Sequence, residues 1–365
     1  MATPLNIPLL NRLRAASGEH TPLDALGPDR DRAHADLDAL AAFGFGIERH
    51  PYLGAAYVGP AERLCPDQVE HELATLRIGR RIAVWDRVSS TNDLAAGACG
   101  SAANDGLVVL ADEQTAGRGR LGRSWAAPPR SSILMSVLLF PPLALDPSGP
   151  EAGPGLSWLT AMGAVATAEV VSDWIGRPAA IKWPNDVRVD GKKIAGILVE
   201  RPAATGTARP RLIGEPGHAA VIGIGLNVNL DRETLPVDLR ARATSIRIER
   251  GGRPADRSEV ARDLIRRLDH WYEAARSLGC AALEGPWRDR SEHLGRIVRV
   301  ETPAGPRSGR VVDLGLRLGL TLETGPEDSQ GSSPSPDGPA TDRAVIRLAP
   351  SEILAIEEVP ARPLA

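Results

Sequence analysis

Along the first sixty residues apolar side chains recur with helical spacing. Ile7, Leu9, Leu10 and Leu13 share a face that runs out at Ser17-Gly18, and Leu23 to Leu26 suits a short second helix. Ala33, Leu37, Leu40 and Ala41 space a third helix that stops at Gly44. Between Ile47 and Val58 the pattern changes to extended runs broken by Pro51 and Gly54, which predicts a two-stranded hairpin. Three helices and a hairpin over residues 1–62 are the layout of a winged helix-turn-helix.

A helical connection over Asp67 to Leu76 opens a larger region, 63–290. Strands are predicted at Arg81–Trp85, Leu107–Ala111, Ile133–Phe140, Ala180–Trp183, Val187–Val189 and Lys193–Glu200, with Asp190-Gly191 a two-residue hairpin signal before the last. Leu159, Met162, Ala166, Val170 and Trp174 follow helical spacing up to Gly176. Pro141–Gly155 and Arg201–Ala219 read as irregular. The next strand has a period of two, with Ile222, Ile224, Leu226 and Val228 on one face and Gly223, Gly225, Asn227 and Asn229 on the other. Ser258 caps a helix of Val260, Leu264, Leu268 and Trp271 that ends at Gly279, and a shorter helix holds Trp287.

From 291 to 365 the pattern is one of strands, at Arg296–Glu301, Gly309–Leu314, Leu316–Glu323, Ala344–Leu348 and Ile353–Glu358, enough for a small barrel. Residues 324–343, rich in Pro, Ser, Gly and Asp, interrupt it and are expected to be disordered. The predicted class is α+β: a winged helix, a central mixed sheet with flanking helices, and a C-terminal SH3-like barrel.

Charge changes the reading of the first region. The chain of 365 residues carries a formal net charge of -3, and residues 1–80 hold eight arginines against eleven carboxylates. The third helix has Asp29, Asp31, Asp36 and Asp38 against Arg30 and Arg32. DNA affinity is built from cations meeting phosphates, so operator binding is disfavoured. Cys65, Cys99 and Cys280 have no metal-ligand spacing and point to a reducing, cytoplasmic compartment. No apolar run approaches a membrane span, and the N-terminus lacks the layout of a signal peptide.

The candidate chemistry centres on Gly117-Arg118-Gly119-Arg120-Leu121-Gly122-Arg123-Ser124-Trp125. Glycines let backbone N–H groups approach phosphate oxygens, and three arginines add permanent forked donors. The loop is neither a Walker loop nor a dinucleotide fingerprint, because the Gly-Lys-Ser/Thr ending and the third-glycine offset are missing. Core strands on both sides separate it from a free Arg/Gly tail. All the lysines, Lys182, Lys192 and Lys193, fall within one twelve-residue stretch of a chain that otherwise writes its cations as arginine. Lys182 and Lys193 lie on neighbouring strands and are expected to reach one pocket. Ser90, Thr91 and Asn92, beside a helix start where Ser90 and Asp93 also suit a cap, offer hydroxyls and an amide to a small polar ligand. The Gly223/Gly225 face suits close approach of a planar group.

Collected in order, Ser90-Thr91-Asn92, Gln114, Gly117 to Trp125, Lys182-Trp183-Pro184-Asn185-Asp186, Lys193 to Glu200 and Gly223-Ile224-Gly225-Leu226-Asn227 resemble the biotin protein ligases, in particular the bifunctional members that carry an N-terminal winged helix. The resemblance implies ATP, biotin and Mg2+ as reactants and cofactors, a biotinyl-5'-adenylate, and transfer to a lysine of a biotin carboxyl carrier protein, an acetyl-CoA carboxylase subunit or similar. It implies that Ser90, Thr91, Asn92 and Gln114 hold biotin and that the loop, with Gly117, Arg118, Gly119, Arg120 and Arg123, folds over the adenylate. Lys193 would bridge carboxylate and α-phosphate, Lys182 would face the phosphates, and Trp125 and Asn227 would lie on the adenine side. Asn185, Asp186 and Gly196 complete the implied set, Asp186 orienting a lysine or Mg2+; no residue is assigned as a metal ligand. No Met-Lys-Met acceptor occurs in the chain, so the acceptor lies on another protein. A homodimer is compatible with the family. The alternatives are a biotin-responsive DNA-binding repressor, which the acidic third helix opposes, and a lipoate ligase, which should lack the Arg-rich loop.

Overall fold

The computed structural model describes residues 4–142, 156–202, 219–235, 237–316, 319–324, 344–349 and 352–359. Helices α1 (Ile7–Ala15), α2 (Leu23–Leu26) and α3 (Arg30–Phe43) precede a hairpin of β1 (Gly46–His50) and β2 (Gly54–Gly59). Asn6 and Asp29 cap α1 and α3 by accepting the N–H of Leu9 and Arg32, satisfying donors that a helix start leaves free. Leu9, Leu10, Leu13, Leu37 and Leu40 close a small core of their own. The following helix, α4 (Pro66–Glu70), is shorter than the predicted Asp67–Leu76. The chain turns out of it because the N–H groups of Leu76, Arg77 and Ile78 are taken by the Asp269 carboxylate, at 2.7–2.9 Å, and Glu72 and Ala74 adopt positive φ.

The body is a seven-stranded mixed sheet. Its strands are β3 (Arg81–Val88), β4 (Leu107–Gln114), β5 (Ser132–Leu139), β6 (Ala180–Lys182), β7 (Asp186–Val189), β8 (Lys192–Glu200) and β9 (Ala220–Asn227), in the order β3-β4-β5-β9-β8-β7-β6. Only β3 and β4 run parallel, and α5 (Thr91–Gly97) makes their crossover. Asp190 and Gly191 both take positive φ, as the tight hairpin from β7 to β8 requires.

Strand alternation assigns the faces. Val108, Val137 and Ile222 pack with α6 (Ser157–Ile175) and the later helices, whereas Val109, Leu138 and Val221 pack with α5. Beyond the sheet come α7 (Ile246–Glu249), α8 (Arg257–Leu278) and α9 (Glu284–Asp289), with Trp158 of α6 stacked on Tyr272 of α8. Asp256, not Ser258, caps α8, accepting from the N–H groups of Ser258 and Glu259; the Ser258 hydroxyl instead accepts the N–H of Cys65. Arg257, 2% exposed, pairs with buried Asp112 and also donates to the carbonyl of Ser132.

The C-terminal strands β10 (Ile297–Glu301), β11 (Arg307–Gly315), β12 (Gly319–Thr324), β13 (Ala344–Leu348) and β14 (Ala355–Glu358) form an antiparallel sheet in the order β13-β12-β11-β10-β14. Its Val298, Val300 and Leu320 join the same core as α6 and α8. Of the predicted loop (141–155), insertion (201–219) and disordered segment (324–343), residues 143–155, 203–218 and 325–343 lie outside the described residues, whereas Thr324 ends β12 and pairs with Ala344. Among the described residues no helix is long and apolar enough to cross a membrane.

Candidate active site

The Gly117–Trp125 loop is a closed hairpin. Gly119 donates to the carbonyl of Arg123 at 2.7 Å and Trp125 to that of Gly117 at 2.9 Å. Its tip, Arg120–Gly122, is one 3-10 turn with Leu121 at φ 56°. Bonds from Thr115 to Val88 and from Ala116 to Ser89 tie its root to the end of β3.

Beneath the loop lies a floor of buried polar groups. The N–H and the hydroxyl of Thr91 both donate to Gln114 Oε1, at 2.7 and 2.8 Å. Gln114 therefore satisfies the start of α5, where Ser90 occupies the cap position without making a capping bond. Asn92 Nδ2 donates to Glu200 Oε2 at 2.6 Å, and the Ser136 hydroxyl lies 2.5 Å from Asn92 Oδ1 and 2.7 Å from Thr91 Oγ1. Ser136 and Glu200 thus fix the side chains of Thr91 and Asn92, a role that sequence reading missed. The one signal available was a hydroxyl in the otherwise apolar run 133–140.

Cations converge on the same place. Arg118 forks onto Asp93 at 2.7 and 3.0 Å and reaches Glu200 at 3.2 Å. Arg120 donates to Asn185 Oδ1 at 3.0 Å, while Asn185 Nδ2 holds the carbonyl of Ile197. Burial pushes the Arg120 guanidinium below its usual pKa, and Asp186 works against that. Lys193 Nζ pairs with Asp186 at 2.7 Å and sits 5.5 Å from the Trp125 ring centroid. Lys182 does not line this cavity, and the expected convergence of both ammonium groups is not seen. Burial and neighbouring Arg188 lower its pKa, opposed by Glu292, Asp186 and Glu357.

The glycine face of β9 is occupied by the chain's own side chains. A Cβ at Gly223 would lie 2.4 Å from Asn92 Oδ1, and one at Gly225 only 2.3 Å from the Trp125 ring. The planar group expected there is the Trp125 indole, which also lies against Gly196. Asn227 donates to the carbonyl of Thr244 and does not line the cavity, nor does Arg123, which is exposed. Among the described residues no three His, Cys, Asp or Glu side chains gather to hold a metal ion.

Ser90, Thr91, Asn92, Gln114, Arg118, Gly119, Arg120, Trp125, Asn185, Lys193 and Gly196 all line one cavity of about 60 Å³. Ligand pockets ordinarily measure ~300–1,000 Å³, well above the space left under the loop in this structure. Across the loop lies a second cavity of about 450 Å³ that shares Arg118, Gly119, Arg120, Ile197 and Leu198 with the first.

A cationic loop closed over a hydrogen-bonding floor on a mixed sheet is the frame of a ligase that activates a small acid, and the sequence profile of the Biotin/lipoate A/B protein ligase family matches residues 84–227. The biotin--[acetyl-CoA-carboxylase] ligase of Mycobacterium tuberculosis is 36% identical over 257 residues, 67% of this chain and 85% of that one. The bifunctional ligase/repressor BirA of Bacillus subtilis is 29% identical over 301 residues, 82% and 87% of the two chains. A solved structure, the biotin protein ligase from Aquifex aeolicus in complex with biotin and ATP, has a TM-score of 0.59 and 23% identity, covering 77% of this chain and 100% of that one, a likeness of fold. The chain belongs to the biotin protein ligase family.

Proposed function

We propose that this ligase joins biotin to ATP as biotinyl-5'-adenylate, with release of pyrophosphate, and passes the biotinyl group to a lysine of a biotin carboxyl carrier protein. The supporting observation is the meeting of Lys193, Arg118 and Arg120 above the Thr91–Asn92–Gln114 floor in one cavity. Both half-reactions change charge on phosphate and carboxylate oxygens, and fixed cations and N–H donors act where that charge develops.

On this reading Ser90, Thr91, Asn92 and Gln114 hold biotin, with Ser136 and Glu200 holding them in turn. Lys193, oriented by Asp186, bridges the biotin carboxylate and the α-phosphate. Arg118 and Arg120, with Gly117 and Gly119 as hinges, cover the adenylate and exclude water, and Trp125 borders the nucleotide. Mg2+ enters with ATP as the counter-ion of its phosphates, which suits an ion that keeps substrate oxygens as ligands and a site without a carboxylate cage. Residues 1–62 are read as a winged helix and 291–365 as an SH3-like domain. A repressor role is disfavoured by the exposed Asp29, Asp31 and Asp38 on or beside α3, where DNA would require cations.

Biotin-dependent exchange of labelled pyrophosphate into ATP tests the proposal, with lipoate and octanoate in parallel. Exchange with biotin alone supports it; exchange with lipoate instead, or with no acid, overturns it.

A further inference from the structure

Lys193 faces the cavity against the alternation of its own strand. Gly196 of β8 lines the cavity, so strict alternation would turn Lys193 to the opposite face of the sheet. Instead Ile194 and Ala195 both enter the core, and Lys193 joins Gly196 at the cavity. A bulge makes the difference. Val187 pairs with Ala195 and Arg188 with Lys193, which leaves Ile194 as the extra residue.

The β8–β9 ladder begins at Ala195 and so does not cover the bulge. The segment leading into α7 covers it instead. Lys193 donates its N–H to the carbonyl of Arg242 at 2.8 Å and accepts the N–H of Thr244 at 2.9 Å, a parallel bridge opposite Ala243. Thr244 is itself buried and held: its carbonyl accepts from Asn227 Nδ2 at 3.0 Å, and its hydroxyl donates to Glu249. Glu249 pairs in turn with Arg177, which also holds Asp190 in the turn of the β7–β8 hairpin. Neither Thr244 nor Glu249 lines the cavity.

We propose that residues 242–249 brace Lys193, with Thr244 and Glu249 as positioning residues that keep the bulge closed and the ammonium turned to the cavity. The inference rests on the adenylation reading above, in which Lys193 bridges the biotin carboxylate and the α-phosphate. The side-chain end is fixed separately, by Asp186 at 2.7 Å, so the brace supplies the backbone half of the aim. Misplacing a reacting group by about 1 Å is enough to cost on the order of 100-fold in rate.

Thr244→Val removes the hydroxyl at nearly constant volume, and Thr244→Ser keeps it. Both are measured in pyrophosphate exchange, in the wild-type chain and in a Lys193→Ala background. Thr244→Val is expected to lower the maximal exchange rate ~10-fold with KM for biotin and ATP within about twofold, and Thr244→Ser to stay within about twofold of wild type. In the Lys193→Ala background Thr244→Val should change the residual rate by less than about twofold, because both substitutions act through one ammonium. Equal proportional losses in the two backgrounds, or wild-type exchange in a folded Thr244→Val chain, overturn the brace. A second readout does not depend on activity. The chain's lysines are Lys182, Lys192 and Lys193, so with isotope-labelled lysine the Lys193 side-chain resonance can be assigned from its loss in Lys193→Ala. Thr244→Val should shift that resonance and Thr244→Ser should not; an unmoved resonance overturns the brace. Full exchange in Lys193→Ala alone would instead be a failure of the parent reading.

Discussion

Placing a methyl group at Gly225 sets a β-carbon against the indole of Trp125. The ideal Cβ would stand 2.3 Å from Cε2 and 2.7 Å from both Cζ2 and Nε1. Carbon contacts are ordinarily ~3.5–4.0 Å, so something must retreat by at least ~1 Å. β9 is not free to do so, because Gly225 is paired with Leu134 on one side and Gly196 on the other. The loop yields instead. Trp125 is half-buried, so displacing it forfeits about 1–1.5 kcal/mol of apolar burial. Loss of its contact with Lys193 adds roughly 0.5–1 kcal/mol. Together these correspond to an increase in KM for ATP of about 10- to 60-fold in pyrophosphate exchange. The main core is untouched, so the melting midpoint should fall by only a few degrees, the share of the lost loop contacts. In a Trp125→Ala background the same Gly225→Ala change should cost little, since its target is gone. Full additivity of the two substitutions, or a wild-type KM for ATP in Gly225→Ala, would refute the steric argument.

Other outcomes follow from the same geometry. Gly223→Ala pushes on Asn92 instead, so KM for biotin should rise at least ~5-fold with ATP less affected, read from the two substrate dependences of exchange. Lys193→Ala should lower exchange by at least ~100-fold while leaving circular dichroism unchanged; full retention of exchange would remove Lys193 from the mechanism. Arg120→Gly, which removes the tie from loop to Asn185, should speed adenylate release and label lysines outside the carrier, measured by trapping biotinyl-AMP on a bystander protein. His293 is 1% exposed, and burial, then Lys182 and Arg188, push its pKa down to about 4. The ring is neutral when folded, whereas an unfolded histidine titrates near 6.5, so the unfolded chain binds the extra proton between these values. Stability should therefore fall as pH drops from about 6.5 towards 4, by up to about 3 kcal/mol, and His293→Leu should flatten that limb in urea titrations at each pH.

What the amino-acid order determined by itself was local. The period of two from Ile222 to Asn229 separated a core face from a glycine face, Asp190-Gly191 set a tight hairpin, and the glycines and arginines of 117–125 marked a cationic loop between two core strands. These are properties of backbone conformation and side-chain alternation, which neighbouring residues dictate. Tertiary structure decided what each signal meets. It filled the glycine face with Trp125 and Asn92, gave the α5 cap to Gln114 from the neighbouring strand, and ended α4 early by drawing three N–H groups to Asp269. It also left Lys182 out of the cavity's lining while joining Ser136 and Glu200 to Asn92. Such partners lie from about twenty to nearly two hundred residues apart in the chain, and only packing brings them within the few ångströms over which a hydrogen bond acts.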